Sequence, residues 1–137
     1  MGTWDFGPFD NDTAADWSGD LDDAEPGRRV EIIRATLTEV LDEDEYLDSD
    51  VACEAIAAAA VVASQLPGGP AITTAYAPDF ITEGGTLDLP SDLPALALRA
   101  LDRIAGDDSE WRELWEDALD KALQALQPIR ATLEATT

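Results

Sequence analysis

The chain has 137 residues, 45% of them apolar, with thirty acidic residues against eight basic ones, no histidine and a net charge of −22. That length fits one domain that folds without a disulfide or metal staple, and the apolar fraction excludes wholesale disorder. The charge disfavours nucleic acid and anionic membrane surfaces, both of which need clustered Lys and Arg, and fits a basic protein partner, a divalent cation, or life at high salt or in a generally acidic proteome.

Residues 1–9 are expected to be extended. Trp4, Phe6 and Phe9 crowd this stretch, and Gly7-Pro8 breaks any helix there. Asp10, Asn11 and Asp12 are each good N-caps, so a first helix starts at one of them, with Ala14, Trp17 and Leu21 on one face. It ends in the polar linker Asp22-Asp23-Ala24-Glu25. Pro26 suits the first turn of a second helix, whose apolar stripe is Val30, Ile33, Leu37, Val40 and Leu41. The run Asp42-Glu43-Asp44-Glu45 ends it, because adjacent anions at a helix C-terminus oppose the helix dipole.

A third helix starts near Asp48, Ser49 or Asp50 and runs to about Gln65 through an Ala-rich stretch. After Asp50 its one charge is Glu54. A helix apolar nearly all round is usually buried, so this one is placed at the centre of the fold with Cys53 packed in it. Leu66-Pro67-Gly68-Gly69-Pro70 stops it. Residues 71–91 are irregular, with one helical turn expected near Thr73–Tyr76, and pack over the core through their own apolar residues. Ser91 or Asp92 caps a fourth helix with Pro94 in its first turn and Gly106 just beyond its end. Asp107, Asp108 or Ser109 caps a fifth, and Asp107 with Glu110 has capping-box spacing. Trp111, Leu114, Trp115, Ala118, Leu119, Ala122, Leu123 and Leu126 form an unbroken stripe along it, the clearest periodicity in the chain. Pro128 is expected to kink or break it, with Ile129 and Leu133 in a short continuation. The expected fold is therefore all-α: a compact domain over residues 1–137, of about five helices around the Ala-rich one. Residues 1–9 form an aromatic latch against the Trp111/Trp115 helix, and 66–91 an irregular loop.

The opening Met-Gly-Thr-Trp-Asp-Phe-Gly-Pro-Phe-Asp-Asn-Asp-Thr-Ala-Ala-Asp-Trp resembles the start of a bacterial family, domain of unknown function 4259. Its members begin Met-Gly-x-Trp, then Gly-x-Gly-x-Phe, then Asp-Asn-Asp-x-Ala-x-Asp. The Ala-rich middle helix, Tyr76-Ala77-Pro78, Ala97-Leu98-Arg99-Ala100-Leu101-Asp102-Arg103 and Glu113-Leu114-Trp115 are similar too, so the likeness spans nearly the whole chain. Asp5 and Phe6 depart from it, standing where the family has Gly and a small or polar residue. The resemblance implies a helical bacterial protein and no particular activity.

Chemistry is sparse. Without histidine, Ser-His-Asp and Cys-His arrangements are impossible, and the single Cys53 lacks a base. Gly68-Gly69 and Gly84-Gly85 lack the spacing of a phosphate or dinucleotide loop. No cofactor and no enzymatic activity are expected. Asp12, Asp16 and Asp20 are four residues apart on one helix face and are weak candidates for a divalent cation, but Ala14 and Ala15 break the EF-hand register set by Asp10. Asp42, Glu43, Asp44, Glu45 and Asp48 form the densest anionic run and are the candidate surface for a basic partner. The N-terminus shows no secretory signal, the position that myristoylation needs as Ser or Thr is Phe6, and the run Ala55–Ala63 is too short to span a bilayer, so a cytoplasmic location is expected. The reading that fits best is a small acidic protein-binding module, of the immunity-protein or antitoxin type, that occludes a basic partner. A cation-binding protein or enzyme using the N-terminal aspartates, and a structural or oligomeric housekeeping protein, are the alternatives.

Overall fold

The computed structural model describes residues 7–74 and 76–136. Trp4 and Phe6, two of the expected latch residues, lie outside them. Among the described residues the fold is all-α and has no strand; Leu47 and Ser109 form a lone parallel bridge. The chain runs through α1 (Asp12–Asp23), a 3-10 turn (Pro26–Arg28), α2 (Arg29–Asp42), α3 (Ser49–Ser64), α4 (Asp79–Thr82), α5 (Leu93–Ala105), α6 (Glu110–Trp115), a second 3-10 turn (Glu116–Ala118) and α7 (Leu119–Thr136).

The Ala-rich helix α3 is the hub. Ala52 and every residue from Ala55 to Ala63 are buried, and α1, α2, α5 and α7 all pack on it. Alanine is a strong helix former, and its small side chain lets neighbouring helices approach closely from several sides. Asp48 starts α3 by accepting hydrogen bonds from Asp50 N (2.7 Å) and Val51 N (3.4 Å). Its end is set by glycine: Gly68 has φ +75°, and a Cβ on Gly69 would stand 1.8 Å from the Ala63 carbonyl oxygen.

Around this hub α1 and α2 bury the centre of the stripes their spacing predicts. Ala14, Trp17 and Leu21 face inward from α1, and Ile33, Leu37 and Val40 from α2. Trp17 Nε1 donates to Thr36 Oγ1 (3.0 Å), which donates to the Ile32 carbonyl (2.8 Å), so the indole reaches the interior with its polar atom satisfied. Asn11 is the residue that caps α1, accepting from Ala14 N at 2.8 Å. Asp10 instead folds back onto Gly7 N.

Several expectations fail, each for a non-local reason. The helical turn near Thr73–Tyr76 is replaced by α4 at Asp79–Thr82. It forms there because the Asp22 carboxylate accepts from Asp79 N (2.7 Å) and Phe80 N (3.2 Å), supplying a cap from 57 residues away. Arg29 completes the corner: it donates to the Leu21 and Asp22 carbonyls, and its guanidinium lies 3.9 Å over the Phe80 ring. Asp92 precedes α5 but makes no capping bond, because Arg34 holds both its oxygens at 2.7 and 2.9 Å.

The stripe expected to be unbroken from Trp111 to Leu126 is interrupted at Glu116, with φ 46° and ψ −118°. The chain turns there, and before the turn Trp111 is buried while Leu114 is 60% exposed. Pro128, by contrast, does not end α7, which continues to Thr136 with Thr132 Oγ1 donating to the Pro128 carbonyl. Cys53 is half-buried rather than enclosed, packed against the core. Of the expected latch residues Phe9 is buried, and it lines a cavity of about 270 Å³ with Ala60 of α3 and Ala125, Pro128 and Ile129 of α7.

Candidate functional site

The acidic run 42–48 is exposed except for half-buried Glu43 and buried Leu47. Leu47 is the pin. Its amide donates to the Asp108 carbonyl (2.8 Å) and its carbonyl accepts from Glu110 N (2.9 Å). This bridge lays the α2–α3 loop alongside the α5–α6 loop. The second loop is itself acidic, carrying exposed Asp107 and Asp108, half-buried Glu110 and exposed Glu113. One anionic face is thereby built from two segments about 60 residues apart, as their side-chain bonds also show. Ser49 N donates to Glu110 Oε1 (2.9 Å) and the Tyr46 hydroxyl to Glu113 Oε1 (3.0 Å).

Arg103 fastens the two loops together. It donates to the carbonyls of Glu43 (3.4 Å) and Glu45 (2.8 Å) on one loop and of Asp107 (3.0 Å) and Asp108 (3.2 Å) on the other. A planar guanidinium with five N–H groups can serve several acceptors at once, which an ammonium cannot do in this geometry. Arg112 likewise turns to a backbone carbonyl, that of Ala105. The cations nearest this face are thus spent on the main chain and leave the carboxylates without ion pairs. Among the described residues, ion pairs join Arg28 to Glu31, Arg34 to Asp92 and Arg130 to Asp102, all elsewhere.

The field of these carboxylates is felt locally. Partial burial, its hydrogen bond to Glu113 and the charges of Glu113, Glu110 and Asp108 hold the Tyr46 phenol above its ordinary pKa. Tyr46 is 49% exposed on the first loop and Leu114 is 60% exposed on α6, which follows the second. Sequence reasoning placed the run Asp42, Glu43, Asp44, Glu45 and Asp48 here but missed the second loop, Tyr46 and Leu114. The pair Asp107-Asp108 just before a helix start was the available signal for the loop; nothing local marks the bridge.

The remaining candidates lie on other elements, α1 and α3. Asp12, Asp16 and Asp20 are exposed along α1, and no group of three acids placed to hold a metal ion occurs among the described residues. Burial, then the charges of Asp50, Glu54 and Asp48, push the Cys53 thiol up to about 12, so it is a neutral thiol at physiological pH and a poor nucleophile. No described helix is long and apolar enough to cross a membrane.

The described residues thus define an all-α domain with a composite anionic face. The chain belongs to the family described as Domain of unknown function (DUF4259), whose model matches residues 2–127. No curated protein and no solved structure matches it.

Proposed function

We propose that this protein is a small acidic binding module of the immunity-protein or antitoxin type, acting in the cytoplasm by occluding a basic partner. The observation that supports it is the joining of the 42–48 and 107–113 carboxylates into one face whose neighbouring arginines are held by backbone carbonyls. Such a face is ready to receive cations without first breaking ion pairs of its own. Complementary charge steers encounter and suppresses wrong partners, which suits a protein whose task is to cover another. Occlusion needs area and charge rather than a reacting group, in keeping with a chain that has no histidine.

Affinity capture from the native host at low salt tests this. The expected result is one specific basic protein, released at about 0.5 M NaCl where the Debye length falls to a few ångströms. Co-expression should also relieve the toxicity of that protein when it is expressed alone. Recovery of no specific protein at low salt contradicts the proposal.

A further inference from the structure

Charge alone has no use for Tyr46 and Leu114. A scattered exposed apolar residue needs no explanation, but these two lie on the two remote segments that the Leu47 bridge joins. Tyr46 lies inside the first acidic loop. Leu114 lies on α6 next to Glu113, the residue that accepts the Tyr46 hydroxyl. Leu114 also follows Glu110 by one helical turn, so it projects from the side of α6 whose Glu110 carboxylate reaches Ser49 N. The stripe to which Leu114 belongs by spacing is buried at Trp111 and again at Ala122 and Leu126. Leu114, two residues before the chain turns at Glu116, is left outside.

We infer that Tyr46 and Leu114 are the apolar anchor of the docking face, and that their occupant is a basic segment of a partner protein presenting an aliphatic or aromatic side chain between lysines or arginines. The inference rests on the reading of the acidic face as a protein-binding surface and names what that surface recognises. Charge selects the occupant. A second copy of this chain carries the same net −22 and is repelled, and so is any phosphate-bearing surface. The anchor supplies what charge lacks. Apolar contact at the centre of a polar rim is where interfaces concentrate their affinity, while rim charges set encounter rate and salt dependence. The tie between Tyr46 and Glu113 holds the ring in place before the partner arrives, so less side-chain freedom is lost on binding.

Random peptides of about sixteen residues, displayed on phage and selected on the immobilised full chain at low salt, test the inference. The expected peptides are Lys/Arg-rich with a recurrent Leu, Phe or Trp. Titrated calorimetrically, they should bind Leu114→Ser about tenfold more weakly with an unchanged salt slope. Serine in place of the peptide's apolar residue should cost the same factor on the wild type and nothing further on Leu114→Ser. Leu114 is exposed, so this variant should melt like the wild type, and an equal melting temperature confirms that folding is intact. Basic peptides with no recurrent apolar position, or full affinity for Leu114→Ser, overturn the anchor and leave the acidic face standing. Selection of no basic peptide overturns both.

Discussion

Glu54 is the residue at which the fold meets its own charge. It is a half-buried carboxylate on the otherwise apolar α3, and burial first, then the charges of Glu39, Asp50, Asp20 and Asp48, raise its pKa. These acids reach it from α1, α2 and α3. A carboxyl whose folded pKa is raised favours the protonated folded state. Its contribution is therefore fully present below the unfolded value of about 4.5 and is lost as pH rises through the folded pKa. Glu54→Gln should accordingly stabilise the protein at pH 7 and lose that advantage as pH falls toward 4, a trend read from urea melts across the range. Ser18 makes a second case. Its Oγ is buried on α1 with no hydrogen-bond partner. Ser18→Ala should stabilise by about 1 kcal/mol in the same melts, since an unsatisfied buried hydroxyl costs its desolvation; an unchanged or lower stability would show that the hydroxyl is satisfied.

At the scale of elements, the joints rather than the helices hold the unexpected features. Glu116 occupies a backbone region that L side chains rarely adopt. Glu116→Gly should relieve that strain and stabilise by about 1 kcal/mol, whereas a regular helix at this point would make the same change destabilising. Arg103 spans both acidic loops. Arg103→Ala should cost about 1–3 kcal/mol and speed amide exchange at Leu47 and Glu110, and Arg103→Lys should rescue little, because an ammonium cannot reach carbonyls on both loops.

The same joints mark the limit of what the sequence tells. The caps Asn11, Asp48 and Ser109 and the Gly68–Gly69 stop are local signals, and the helices start and α3 stops where those signals predict. Helix α4 depends on Asp22, and Asp92 answers to Arg34, so neither is written in its own neighbourhood. The break at Glu116 has no sequence mark at all, because glutamate carries no preference for a left-handed residue. One half of the docking face, the run from Asp42 to Asp48, is plain in the composition. The other half depends on a bridge between Leu47 and the Asp108–Glu110 backbone, whose pairing no window of sequence contains.

For the whole molecule, the net charge of −22 acts in opposite directions on folding and on binding. Like charges repel within the compact state, so added salt screens a destabilising term. The melting temperature should rise by several degrees between low salt and about 0.5 M NaCl, while complex formation with a basic partner weakens over the same range. A melting temperature indifferent to salt would mean that the surface carboxylates are already compensated.

The central claim is that location, beyond sheer negative charge, makes the 42–48 and 107–113 loops a docking face. Two variants of equal charge change separate the two. Asp44→Asn, Glu45→Gln and Asp107→Asn neutralise the face, and Asp12→Asn, Asp16→Asn and Asp20→Asn neutralise an equal number of exposed acids on α1. Capture from host lysate at low salt, compared by quantitative mass spectrometry, should lose the basic partner with the first variant and keep it with the second. Equal retention or equal loss by the two would contradict the account.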